Sequence, residues 1–259
     1  MATHAETPAE GRGRLNRDRV MRTALAIADA GGLETLTMRT LGQELGVGPM
    51  ALYRHVANKD DIVDGIVDLV FGEIDVPVSG AAWKTAMRQR AISVRDTLMR
   101  HRWAIGLMEA RRNPGPANLR HHDAVIGNLR GAGFDMAMAA HAYSLLDSYI
   151  YGFAQTQMNL PFESTSDIVE VAQEMLQPFP LNAYPNLAAF ITEHAMQPGY
   201  DYGNEFEYGL DMILDGLERA THTPSSSHPT HSRTRPPSAA RSPLERPTRG
   251  RSKASRPSR

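Results

Sequence analysis

The sequence contains no cysteine, which excludes disulfides and thiolate-bound metal from any account of its stability. No apolar run approaches the length of a membrane span, and the opening MATHAETPAEGRGRLNRDR has no apolar h-region of a secretory signal. A soluble protein of the reducing cytoplasm is therefore expected, with no membrane partner. Signatures of catalysis are also missing: there is no HExxH, no phosphate-binding glycine-rich loop and no nucleophile elbow. His101, His121, His122 and His141 invite a metal reading. However, His121 and His122 are adjacent, and on a helix they point about 100° apart, too far to share one ion easily. No cofactor and no enzymatic activity are expected.

The formal net charge of −1 conceals an uneven distribution. Residues 12–59 hold 8 Lys/Arg against 4 Asp/Glu, residues 60–220 hold 11 against 22, and residues 221–259 hold 9 against 1. A basic N-terminal region in front of an acidic body biases the chain's orientation on a polyanion.

From Ala81 to Ala220 nothing reads as a series of strands, and the fold class expected is all-α. The chain is organised around Thr37 to Lys59, TMRTLGQELGVGPMALYRHVANK. Thr37 is a candidate N-cap, and Leu41 and Leu45 share one helical face. Gly46 suits a left-handed helix end, and Pro49 suits the first position of a second helix. Leu52 and Val56 give that second helix its inward stripe, and Gly42 is small where the two helices cross. The spacing predicts a helix-turn-helix, whose second helix enters the DNA major groove. Tyr53 and His55 point away from the stripe, while Arg39 and Lys59 flank the unit where phosphates would run. An ordinary αα-hairpin fits the spacing as well.

Ahead of this unit, residues 1–13 read as a disordered arm, and Arg12, Arg14, Arg17 and Arg19 either reach phosphates or the minor groove or are solvated charges on a fraying end. Asn16 is a candidate cap for a first helix with Val20, Ala24, Ile27 and Ala28 inward. Asn58 is a candidate cap for a fourth helix, apolar at Ile62, Ile66, Leu69 and Val70. Pro77, Ser79 and Gly80 mark a boundary. Helices are then expected over 82–100, about 103–110 and up to Arg130. A long helix capped by Asp135 follows, with others over about 166–176, 184–196 and 203–220. The long helix, MAMAAHAYSLLDSYIYGFAQTQM, is apolar on more than one face and must pack against several neighbours or a second copy of itself. Asp147 within it reads equally as a pocket group, an interface group or a core polar. Residues 221–259, rich in Ser, Pro and Arg, lack the apolar surface to offset ordering and read as a disordered basic tail. That tail either holds DNA non-specifically or simply solubilises the chain.

The stretch RLNRDRVMRTALAIADAGGLETLTMRTLGQELGVGPMALYRHVANKDDIV resembles the N-terminal domain of tetracycline-repressor family regulators, most specifically at LYRHVANKDDIV. HAYSLLDSYIYGFAQTQ and EYGLDMILDGLE resemble the last long helices of the tetracycline-repressor type of C-terminal domain. The resemblance implies a DNA-binding domain over 14–74 and a ligand-binding and dimerisation domain over 81–220. It also implies a homodimer, made by a four-helix interface, on double-stranded operator DNA. Carried over position by position, the DNA-contacting residues are Arg39, Pro49, Met50, Ala51, Tyr53, His55 and Lys59. Those of the small-molecule pocket are Arg90, Val94, Met108, Arg111, Asn128 and Tyr149. They suggest a largely apolar effector with a polar or anionic group. Met108 stands where the tetracycline repressor has its metal-chelating histidine, so a magnesium–tetracycline complex is not implied. The function implied is a ligand-responsive repressor released from a palindromic operator by an inducer. The alternatives are an architectural nucleic-acid-binding protein using the basic tail, or a helical enzyme with an incidental hairpin.

Overall fold

A computed structural model describes residues 14–78, 80–108, 110–161, 171 and 183–222, all within one compact unit spanning residues 1–223. Among these residues every regular element is helical. The arm at 1–13, the helix expected over 166–176 and the basic tail lie outside the described residues, apart from Val171 and the last helical residues before position 223.

Helix α1 (Arg17–Gly31) starts where Asn16 Oδ1 accepts the Arg19 N–H at 2.8 Å, and it ends on Gly32 at φ +81°. Helix α2 (Met38–Leu45) begins in a reciprocal cap. Thr37 Oγ1 accepts the Thr40 N–H at 3.0 Å, and Thr40 Oγ1 accepts the Thr37 N–H at 2.9 Å, with threonine in the place usually taken by Glu or Gln. Gly46, at φ +70°, closes α2 in the left-handed conformation that favours glycine. A Cβ on Gly42 would lie 2.9 Å from the Val47 carbonyl oxygen, so a side chain there would push the turn apart.

Helix α3 (Pro49–Leu52) has Pro49 in its first turn, as expected, but is only four residues long. Beyond it Arg54 N–H bonds to the Ala51 carbonyl and His55 N–H to that of Leu52, three residues back, so the chain tightens into 3₁₀-like turns. Helix α4 (Lys59–Gly72) follows, capped by Asn58, whose Oδ1 accepts the Asp61 N–H at 2.8 Å.

Two apolar cores share α4. Ile62 and Ile66 pack with Val20, Ala24, Leu41 and Leu52 of the first three helices. One position further on, Val63, Val67, Val70 and Phe71 pack with the C-terminal helices. The boundary at residues 77–80 is thus a break in the chain's path, while α4 bridges the two cores.

The second core is built from α5 (Trp83–Arg100), α6 (Pro116–Gly131), α7 (Met136–Met158) and α9 (Asn204–His222). The shorter α8 (Pro185–Phe190) runs into a π-helical turn over Ile191–Ala195. Asp135 caps α7 through the Met138 N–H at 2.7 Å. Along α9 the predicted stripe is seated: Phe206, Leu210, Leu214 and Leu217 are buried and Ile213 is partly so. In place of the helix expected near 103–110 there is one 3₁₀ turn, Arg102–Ala104, followed by further turns. Side chains at its start, those of His101 and Trp103, are tied to Asp29 and Glu73 instead.

Candidate nucleic-acid interface and effector site

The turn between α3 and α4 is fixed by one carboxylate. Asp61 accepts Arg17 Nη2 at 2.6 Å and Nη1 at 2.9 Å, and also takes the Ala57 N–H at 2.8 Å. Arg17 Nη1 in turn donates to the His55 carbonyl at 3.0 Å. The Arg17 guanidinium holds the Asp61 carboxyl below its ordinary range, against the opposing effect of burial. Arg17 thus ties α1 to the α3–α4 turn, a structural role distinct from the two its sequence position suggests, phosphate contact and a solvated charge.

This clamp leaves one surface of the helix-turn-helix open. Met50 is 77% exposed and Tyr53 50%, with Pro49 also exposed and Ala51 and His55 half-buried beside them. Arg39 on α2 is exposed, and Lys59 at the start of α4 donates to the Leu33 carbonyl at 3.3 Å, which holds its ammonium near the α1–α2 loop. An apolar and aromatic patch with cations on either side results.

A second network ties α1 to the start of the C-terminal helices. Asp29 accepts from Trp103 Nε1 at 2.7 Å and meets His101 Nδ1 at 2.7 Å. His101 Nε2 faces Glu73 Oε2, just past α4, at 3.1 Å, and Arg100 donates to the same oxygen at 3.0 Å. Asp29 lies in the last turn of α1, where the helix dipole disfavours a carboxylate. That misplacement is the one sequence signal that it has a partner elsewhere. A third set joins α4 to the segment before α6. Asp64 takes Arg111 Nε at 2.5 Å and Asn113 Nδ2 at 3.1 Å. Asp68 Oδ1 accepts the Asn118 N–H at 2.9 Å, capping α6 from outside its own chain segment.

Deep in the second core lies a polar group. Arg90 on α5 is 2% exposed and meets Asp147 Oδ1 of α7 at 2.6 Å. Arg90 Nε donates to His121 Nε2 of α6 at 3.1 Å, and the guanidinium lies 5.8 Å from the Tyr143 ring centroid. His121 is 1% exposed, and its ring packs 5.6 Å from that of Phe71 on α4; His122 packs at 5.7 Å from the same ring and bonds the Tyr143 hydroxyl. Burial, then the Arg90 and His122 charges, push the His121 imidazole down to about 3. The unfolded chain therefore binds a proton here below about pH 6.5 that the folded chain refuses. Stability is expected to fall on acidification through that range by up to about 1.4 kcal/mol per pH unit from this group. Denaturant melts from pH 7 to 4 check it: His121→Phe should remove this part of the slope, and an unchanged slope would show that His121 does not cause it.

The six residues assigned to a pocket lie in different surroundings, with Tyr149 packed against the same core as Val94 and Met108. Arg90, Val94 and Met108 are buried in the second core. Arg111 is engaged with α4, as above. Asn128 borders a cleft of about 560 Å³ between α6 and the segment before α5, its Nδ2 donating to the Ala81 carbonyl at 3.4 Å. Tyr149 stacks on Phe206 and donates to the Phe206 carbonyl at 3.0 Å, joining α7 to α9.

Comparison with known proteins settles the relationship. Residues 20–66 match the family profile described as bacterial regulatory proteins, tetR family, and residues 76–221 match that of the tetracyclin repressor-like C-terminal domain. The chain belongs to the tetracycline-repressor family. It is 30% identical over 213 residues to the HTH-type transcriptional repressor DrrR1 of Streptomyces coeruleorubidus, covering 79% of this chain and 77% of that one. To the class C tetracycline repressor protein of Escherichia coli it is 28% identical over 211 residues, 80% and 92% of the two chains. Among solved structures, ActR of Streptomyces coelicolor in complex with actinorhodin superposes with a TM-score of 0.66 at 28% identity, covering 82% of this chain and all of that one.

As a tetracycline-repressor family member, the chain is a ligand-responsive transcriptional repressor, in a family of regulators and not of enzymes. No helix among its described residues is long and apolar enough to cross a membrane. Family regulators act as dimers, and on this chain the outer faces of α7 and α9 leave Leu145, Tyr208 and Met212 exposed, apolar surface suited to a second copy.

Proposed function

We propose that this cytoplasmic repressor reads a palindromic operator as a homodimer through Arg39, Pro49, Met50, Ala51, Tyr53, His55 and Lys59, and performs no catalysis. The exposed patch at Met50 and Tyr53, on a short helix whose following turn is held by the Arg17–Asp61 clamp, carries the reading. Tyr53 and His55 meet backbone or base edges, and Arg39 and Lys59 meet phosphates. Met50 and Ala51 offer only apolar contact through their side chains, suited to thymine methyl groups. The effector enters the second core beside Arg90, Val94 and Met108. Arg111, Asn128 and Tyr149, which the resemblance also assigns to the pocket, are engaged at its margins. Since ActR is seen with actinorhodin, a small organic molecule is the effector to test first.

Selection from random duplexes is the direct experiment, and one recovered palindrome bound saturably is the expected result. On that site Tyr53→Ala should weaken binding by roughly ten- to a hundredfold with folding and dimerisation intact. Lys59→Ala should weaken all duplexes about equally and reduce the salt slope by about one phosphate's worth. Recovery of no preferred sequence would favour the architectural alternative. Melting of the domain by Tyr53→Ala would place that ring in the core. Actinorhodin titrated against the complex tests release.

A further inference from the structure

We propose that Arg90, His121 and Asp147 are the selectivity element of the effector site, built for a neutral molecule that offers an acceptor to His121 Nδ1 and a donor to Asp147. The inference rests on the reading that the second core holds the effector, and it adds the ligand's chemical class.

Three facts lead to it. First, an arginine N–H can only donate, so His121 Nε2, facing Arg90 Nε at 3.1 Å, must be the accepting nitrogen. In the neutral ring the proton then sits on Nδ1. That N–H is buried and has no hydrogen-bond partner among the described residues. Secondly, Asp147 Oδ1 lies 2.6 Å from Arg90 Nη1 in an ion pair whose two atoms make no aligned hydrogen bond, and the buried Asp147 Oδ2 has no hydrogen-bond partner among the described residues either. A donor on α6 and an acceptor on α7 are thus left without partners, on side chains nine-tenths or more buried that both engage the Arg90 guanidinium. Native interiors rarely leave such groups unpaired, because each has given up water without replacement. Thirdly, the charges cancel. Arg90 is neutralised by Asp147 and His121 is neutral, so the site has no net charge to attract an anion. The anionic group suggested by Arg90 alone is therefore not called for. A phenol or alcohol with a carbonyl on the same apolar frame satisfies both orphan atoms, and Val94 and Met108 in the same core supply the apolar wall.

The experiment uses the full chain without DNA, so that its outcome is independent of operator recognition. Calorimetric titration compares 3-hydroxybenzophenone with benzophenone and 3-benzoylbenzoate, and 2-hydroxyfluorenone with fluorenone and fluorenone-2-carboxylate. The hydroxyketone of at least one set should bind about tenfold or more tightly than both its relatives, because a site with unpaired polar atoms discriminates against ligands that leave them so. Arg90→Met with Asp147→Leu, checked for folding by circular dichroism, should reduce the preference to within about twofold. His121→Phe, which keeps a ring against Phe71, should weaken every ketone. Equal binding within both sets, preference for the carboxylate, no binding by either hydroxyketone, or a preference that survives the double substitution would each overturn the proposal. The cluster would then be a core ion pair bridged by water. The repressor reading is judged separately, by operator selection.

Discussion

Arg90→Met is expected to destabilise the protein by about 3–5 kcal/mol, whereas Arg90→Met combined with Asp147→Leu should return it to within about 1 kcal/mol of the parent or above it. The single change leaves Asp147 buried beside a methionine, and His121 Nε2 loses its donor. A carboxylate stripped of water and of its counter-charge is among the costliest groups a core can hold. The double change removes both charges and fills the volume with apolar atoms. Urea unfolding of the three proteins decides it. If the double variant is as unstable as the single one, the pair contributes packing or a fold-defining contact that two apolar side chains do not replace. The result bears on function as well. A near-neutral double variant would mean that this ion pair is not held for stability, which leaves ligand selection as the reason to bury it.

The parts of the fold that local chemistry dictates were legible in the sequence. Thr37, Asn16, Asn58 and Asp135 all cap the helices expected of them, because capping needs only a side-chain oxygen and the next three residues. Gly46 and Pro49 likewise carry their conformational preferences with them. Features depending on distant segments were not legible. Arg17 pairs with Asp61, 44 residues away, and nothing local separates that from a phosphate-seeking arginine. The His101 and Trp103 contacts to Asp29 span more than 70 residues and replace an expected helix with a 3₁₀ turn. Asp147 reads three ways in the sequence because its partner, Arg90, comes from a distant helix, α5. What surrounds each carried-over pocket residue is likewise a matter of packing, which position in a motif does not fix.

On the reading proposed above, helix α4 is the route by which an effector would release DNA. Its Ile62 and Ile66 belong to the first core, with the helix-turn-helix, and its Val63, Val67, Val70 and Phe71 to the second. At one end the Asn58 cap and Asp61 are bonded to the turn that follows the recognition helix. At the other, Phe71 packs on His121 and His122, next to the orphan atoms. A ligand group engaging His121 therefore presses on the ring that positions the far end of α4. In a dimer on a palindrome the two recognition helices must stand roughly 34–36 Å apart, so a shift of a few ångströms at each abolishes binding. Moving the population from 1:99 to 99:1 takes about 5.5 kcal/mol of preference for the splayed state. Because the chain lacks native cysteine, Glu44→Cys on exposed α2 gives a single spin label per protomer. The label-to-label distance is expected to change by about 3–6 Å, the scale of one-turn element shifts, when a releasing effector binds. Phe71→Leu, at a stability cost of roughly 1–2 kcal/mol, should still bind that effector while the distance change and the release both shrink. An unchanged distance in the parent protein alongside full release would rule out the tilt and assign release to altered rigidity. Full release by Phe71→Leu would move the coupling to another junction between the second core and the DNA-binding helices, that of Asp29, His101 and Glu73 or that of Asp64 with Arg111 and Asn113.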